Sequence, residues 1–349
     1  MSRVKLENLV GDEILGKEIV SEQGVVLIPA GTRIKPIYIE KLSELGVKNV
    51  IIRDDKVTVD YRKNEIITEC KTKVKDLLQK HFYSDNKDLK ELEKVAVDII
   101  DEALDKPEVI INVDNIYHNS EDIYLHSLNV CMYSILIALK LNMEKKQIVD
   151  LAIGALLHDI GYNFVNAELI SYNMDKKNDK VIKELRKHVI YGYSEVQDEQ
   201  WLSDTSKDII LLHHEREDGT GYPFKKKGND ISKACKIVSL CDEFDNRING
   251  KYGECEKVYI AIENIVAQAN TTFNLNIVEA FKTTISAYPN GTLVVDNCGD
   301  ISVVMSQNNN FPTRPVLKVI KNINGTHARV GEVKDLTREL TVFIEDTIE

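Results

Sequence analysis

Apolar and polar positions change rhythm several times along the chain. In residues 1–60 short apolar runs alternate with turn signals. "GVVLIPAG" predicts a strand closed by a Pro/Gly turn, "KPIYIEKLSELG" a short helix with Pro36 near its start and Gly46 just past its end, and "VKNVIIR" a β-branched strand. Across 61–119 the spacing becomes helical. Ile67, Cys70, Val74, Leu77 and Leu78 keep one register, and Leu92, Val95, Ile99 and Ala103 keep another beyond the polar break "YSDNKD". Residues 120–287 predict helix after helix. The clearest is "KKQIVDLAIGALLHDIG", where Ile148, Leu151, Ala152, Ala155 and Leu156 share a face and Gly161 stops the helix. After "AYPNG" the period shortens. "TLVVDNCGDISVVMSQ" predicts a hairpin, and "RPVLKVI" and "LTVFIE" predict further strands in a β-rich tail over 288–349.

The pattern therefore predicts a mainly α protein: a helical domain at 120–287, flanked by a small N-terminal α/β-type domain and a small C-terminal β domain. The segment at 61–119 reads as a helical connector, with a homodimer surface along it as the alternative.

Composition narrows the class. A chain of 349 residues with 43% hydrophobic and 29% charged positions can bury a sizeable core. Its formal charge of -11 argues against sequence-blind binding to a nucleic-acid polymer, which needs a basic surface. A small anionic ligand is still compatible, because a local metal cluster outweighs the global charge. No apolar run approaches the roughly 20 residues that span a bilayer. The start "MSRVKLENLVGDE" carries no apolar segment with a small-residue cleavage site, so a cytoplasmic chain is expected. Six cysteines without a CxxC pair suit reduced thiols.

The histidines are more informative. Five of the eight, His126, His158, His188, His213 and His214, fall within 89 residues, on successive predicted helices. Each alone has an ordinary explanation as a hydrogen-bonded core or surface residue, and Asp242 alone reads as a solvated acid. Together they read differently, because helices packed in a bundle aim such residues into one interior. Unpaired polar groups are costly there, and metal coordination compensates them. Helical neighbours point about 100° apart, so His158/Asp159 and His213/His214 are each expected to serve two ions, with Asp159 as the bridge. Imidazole with carboxylate suits iron, manganese, zinc or similar ions, and the pattern includes no cysteine. Two such ions about 3.5–4 Å apart support phosphoester hydrolysis by a metal-activated hydroxide.

The series "HSLNV … LLHDIG … KH … HHEREDGTGYP … SLCDEFD" resembles the HD-GYP family of the HD phosphohydrolases, over about residues 120–285. The resemblance implies a helical phosphodiesterase that opens cyclic di-GMP to pGpG or GMP, and in some members cyclic GMP-AMP. Carried over by motif position, His126, His158, Asp159, His188, His213, His214 and Asp242 would hold two divalent ions, iron or manganese. Catalysis would turn on His158 and Asp159, and Asp122 stands where some members carry an acid for a third ion. Gly221, Tyr222 and Pro223 would line the substrate cleft. Two positions depart from the family pattern. Tyr162 replaces the lysine of "HDIGK", and "DNRINGKYGE" offers Arg247 and Lys251 where the family carries phosphate-holding arginines. Those departures leave a non-catalytic cyclic-dinucleotide receptor, or a hydrolase of another phosphoester, as alternatives. The run Lys225-Lys226-Lys227 reads first as a solvated loop.

Overall fold

A computed structural model describes parts of 2–52, then 76–77, 89–105, 123–166, 179–250, 255–308, 311–322 and 331–348. Ile67, Cys70, Val74, Leu78, Asp122 and Lys251 lie outside those residues. The chain divides into two compact units, Met1–Lys63 and Asn64–Glu349.

The first unit is mixed, as its pattern predicts. Strand β1 (Ser2–Lys5) pairs antiparallel with β4 (Asn49–Ile52), and β2 (Ile19–Val20) pairs with β3 (Val26–Ile28). Helix α1 (Pro36–Glu44) lies between β3 and β4 in sequence. Leu15, Ile34, Leu42 and Val50 form this unit's own core.

The second unit is helical and then β. Its helices are α2 (Glu91–Asp105), α3 (Ile123–Lys140), α4 (Lys145–Leu157), α5 (Asp179–Leu185), α6 (His188–Val196), α7 (Asp204–Leu212), α8 (Lys233–Ile248), α9 (Val258–Ala267) and α10 (Leu275–Thr284). Helix α3 is the axis of the bundle. Residues 127–138 are buried on every side, which an all-round apolar helix requires, and α3 packs against α4, α8 and α10. Helix starts are fixed locally. The Ser203 Oγ accepts from the Ser206 N–H at 3.1 Å to cap α7, and the Ser232 Oγ accepts from the Cys235 N–H at 3.2 Å to cap α8.

Leu92, Val95 and Ile99 of α2 are buried in the same core as α3 and α4. This stretch of the connector's apolar face is therefore used within the chain. The period alone does not distinguish an intramolecular partner from a second copy.

The tail forms a five-stranded antiparallel sheet of β5 (Leu293–Asp296), β6 (Asp300–Ser306), β7 (Val316–Asn322), β8 (Val333–Asp335) and β9 (Ile344–Ile348), in the order β8-β7-β6-β5-β9. The last strand begins at Ile344, so "LTVFIE" is strand only at its end. Residues ahead of it form a turn tied by the Val342 N–H to the Glu339 carbonyl at 3.0 Å. Inside the sheet, buried Lys334 bonds Asp296 at 2.6 Å and Asp300 at 2.7 Å. Burial alone lowers an ammonium's pKa, but bonds and charges from the two carboxylates outweigh it and hold Lys334 above its usual value.

Candidate metal centre

Five helices or helix ends bring the seven histidine and aspartate groups of the motif to one interior point. His126 stands in the first turns of α3. His158 is the residue that ends α4, and Asp159 follows it at the start of a short 3-10 helix, Ile160–Phe164. His188 is the first residue of α6, His213 ends α7, and Asp242 lies in α8. Helix ends are suited to this task, because the chain turns there and can aim consecutive side chains into one cavity. His158, His188 and His213 are fully buried, and Asp159, Asp242 and His214 nearly so.

Two groups of donors form. Asp159, His188, His213 and His214 have ligand atoms within 4.8 Å of one another, and so do His126, His158 and Asp159. Asp159 belongs to both, and its two oxygens divide the work. Oδ1 lies 3.4 Å from His188 Nε2 and 3.6 Å from His213 Nε2. Oδ2 lies 3.5 Å from His158 Nε2 and 3.6 Å from His126 Nε2. Asp242 flanks the pair. Its Oδ1 is 3.1 Å from His126 Nε2 and 3.7 Å from His158 Nε2, and its Oδ2 is 3.6 Å from His214 Nδ1.

His213 and His214 were expected to serve different ions, but they fall in the same group. The 100° divergence applies inside a helix, and α7 ends at Leu212. The chain turns at the two histidines, and their rings lie 4.2 Å apart between centroids.

The outer hydrogen bonds fix which nitrogen faces inward. Nδ1 of His158, His188 and His213 donates to the carbonyls of Ala155 at 2.7 Å, Leu185 at 2.7 Å and Ile209 at 3.1 Å. Nδ1 of His126 donates to the buried Asp245 carboxylate at 2.7 Å. Each bond leaves Nε2 as a lone pair pointing into the centre. Burial holds the His213 imidazole below its usual pKa and His214 well below it, so both rings are neutral. His158 Nε2 and His126 Nε2 then face each other at 3.2 Å, and His188 Nε2 and His213 Nε2 at 3.3 Å. Acceptors at such distances repel one another unless a cation is shared among them. His214 Nε2 is also buried without a hydrogen-bond partner. An all-nitrogen-and-oxygen donor set with a shared carboxylate fits a divalent transition ion.

Asp245 is a residue the ligand motif alone does not single out. It sits three positions after Asp242 in α8, on the same helical face, and its other oxygen accepts from Asn129 at 3.0 Å. Asn246 completes the face by donating to Asp242 Oδ1 at 2.7 Å. The "DEFDN" spacing carries this signal.

Two glycines permit the close approach. A Cβ at Gly161 would lie 1.8 Å from the His188 carbonyl and 2.6 Å from the Gly192 nitrogen, so only glycine lets the 3-10 turn meet α6. A Cβ at Gly221 would lie 2.4 Å from the His214 carbonyl. That packing folds the Gly221-Tyr222-Pro223 loop back onto the histidine pair. Buried Glu215 pins the loop by accepting from the Phe224 N–H at 2.7 Å and the Lys226 N–H at 3.0 Å.

The other expected contact residues take definite places. Tyr222 stacks on His214, with centroids 4.6 Å apart and planes 25° apart. Tyr162 stacks on His188 at 4.1 Å and 8°, so the residue standing at the lysine position covers the ring of one of the clustered histidines. Arg247 is held between two carboxylates, at 2.9 Å from Glu243 and 3.0 Å from Glu256. Asp122 and Lys251 fall outside the described residues.

Comparisons with known proteins give the chain its family. The HD domain model matches residues 103–277, half of the chain, and a model described as a KOW domain associated with HD domain matches 293–349. The chain is 29% identical over 249 residues to the cyclic di-GMP phosphodiesterase PA4108 of Pseudomonas aeruginosa, a match covering 70% of this chain and 59% of that protein. It is 22% identical over 330 residues to the cyclic di-GMP phosphodiesterase PdeB of Borreliella burgdorferi, covering 81% of this chain and 86% of that one. A solved structure, Bd1817, a HDG"Y"P protein from Bdellovibrio bacteriovorus, superposes with a TM-score of 0.56 at 19% identity, over 80% of this chain and 97% of that one, and shows the shared fold. A match across half of the chain makes this protein a member of the HD domain family, in its HD-GYP branch.

Proposed function

We propose that the chain is a metal-dependent phosphoric diester hydrolase acting on a cyclic dinucleotide, cyclic di-GMP before cyclic GMP-AMP, and yielding pGpG or GMP. The observation that carries the reading is Asp159, whose two oxygens face two separate sets of imidazoles. His188, His213 and His214 would hold one ion and His126 and His158 the other, with Asp159 between them and Asp242 alongside. Iron or manganese suits this donor set. When bound, such ions supply positive charge for phosphate oxygens and a nucleophile at neutral pH. Everything else is the protein's work. Carbonyl-anchored imidazoles keep their Nε2 atoms aimed inward, buried walls exclude bulk water, and the Gly221–Pro223 loop places Tyr222 beside the centre.

Relatives named as cyclic di-GMP phosphodiesterases support the substrate class. The test is turnover by anaerobically purified protein of known metal content, with products separated by chromatography. Formation of pGpG or GMP is expected. Intact cyclic di-GMP and cyclic GMP-AMP after long incubation with fully loaded protein refute the proposal. A receptor that binds without turnover is the second reading, favoured by Tyr162 covering His188 and by Arg247 being held by two glutamates. Binding without product on the same preparation selects it.

A further inference from the structure

The departures at Tyr162 and Arg247 leave open how the site would hold a dianionic substrate. Its cations give an answer. Lys187 is paired with Glu184 at 2.6 Å, Arg216 contacts Glu243 at 3.4 Å, Lys236 is paired with Glu217 at 3.0 Å, and Arg247 sits between Glu243 and Glu256. Arg186 differs from these four. Its guanidinium carbon lies 4.9 Å from the Tyr222 ring centroid, and among the described residues no carboxylate pairs with it. Arg186 enters two residues before His188, so one short segment delivers both a ligand and a cation.

The order of these groups is directional. His214 lies under Tyr222, and Tyr222 lies under Arg186. A guanidinium held against a ring face keeps its N–H edge available, and that planar fork matches two phosphate oxygens. A cyclic dinucleotide carries two phosphodiesters on opposite sides of its macrocycle. With one at the histidine centre, the other is held apart from it by the ribose rings between them.

Resting on the proposed function, we infer that Arg186, steadied by Tyr222, holds the phosphodiester that is not being cleaved and so selects two-phosphate substrates. It is a substrate-binding residue that stands in for the cation missing at position 162.

The experiment compares wild type, Arg186→Ala and Arg186→Lys, all metal-loaded, by titration calorimetry with cyclic di-GMP and separately with inorganic phosphate, which reports on the centre alone. Loss of a charge-assisted contact predicts weaker cyclic di-GMP binding by about tenfold to a hundredfold in Arg186→Ala. Phosphate binding should stay within about twofold, and Arg186→Lys should recover part of the loss. Equal weakening of both ligands would show that Arg186 shapes the centre and would overturn the inference. Unchanged cyclic di-GMP binding, or none in the wild type, would overturn it as well. Selective weakening without turnover in the wild type would sustain Arg186 as the phosphate holder while refuting hydrolysis.

Discussion

Gly161→Ala offers a sharp test of how the centre is built. The added methyl carbon would stand 1.8 Å from the His188 carbonyl oxygen. Ordinary contact begins at 3.4 Å, so the two segments must separate by 3.4 − 1.8 = 1.6 Å along that line. Backbone on both sides prevents relief by a rotamer change, and Gly192 lies within 2.6 Å on the same side. His188 starts α6, so moving that carbonyl moves the ligand. Its Nε2 now sits 3.4 Å from Asp159 Oδ1 and 3.3 Å from His213 Nε2, whereas metal–ligand distances tolerate only about 0.2 Å. The variant should lose metal from the His188 group first and retain it better at the His126 group. Overpacking should cost about 1–3 kcal/mol of stability, and a displacement of this size should lower any turnover by about a hundredfold. Elemental analysis after dialysis, with thermal unfolding on the same sample, measures both effects. Wild-type metal content in Gly161→Ala would refute the claim that this contact positions His188.

Other substitutions probe separate parts of the molecule. Asp159→Ala removes the carboxylate common to both groups, so metal loading and turnover should be lost together; retained activity would overturn the site assignment. Asp245→Asn weakens the bond that orients His126; metal affinity measured by chelator competition should fall about tenfold to a hundredfold, with little change in unfolding temperature. Lys334→Met leaves the buried Asp296 and Asp300 without a countercharge. Chemical unfolding should show a loss of about 3–5 kcal/mol, largely recovered when both aspartates are also replaced by apolar residues, and a near-wild-type single variant would refute the role of the triad.

Much of the candidate site is legible in the sequence because its histidines and aspartates sit at features that leave local marks. His158 and Asp159 follow a helix with a period-marked apolar face, His213 and His214 precede a glycine-rich turn, and Asp242 lies on a helix with period-marked apolar neighbours. Relations between segments leave weaker marks. No local rule shows that His213 and His214 share one group, since that depends on where α7 stops. Gly161 reads as a helix stop, but α4 ends at Leu157 and Gly161 lies within the following 3-10 helix; its contact with His188 appears only when α6 is in place. Arg186 looks like one cation in a charged run until the loop from 221 to 223 is folded beside it. The N-terminal unit is legible in kind because each element has its own period and turn. The start of β9 is misplaced because Val342 is apolar yet belongs to a turn.

The C-terminal sheet shares its interior with the helices. Val294, Val304, Leu317 and Leu336 belong to the same continuous core as the residues of α3 and α4. Asp346 of β9 accepts from Lys257 at 2.6 Å and from the Tyr259 hydroxyl at 2.9 Å, on and just before α9. Sequence families divide the protein near residue 290, but its cohesion crosses that line. A chain cut there would carry a raw apolar face, so excision of the sheet should yield an insoluble helical fragment rather than a smaller working protein. For anyone transplanting this centre into another scaffold, the smallest portable part is the whole of the second unit.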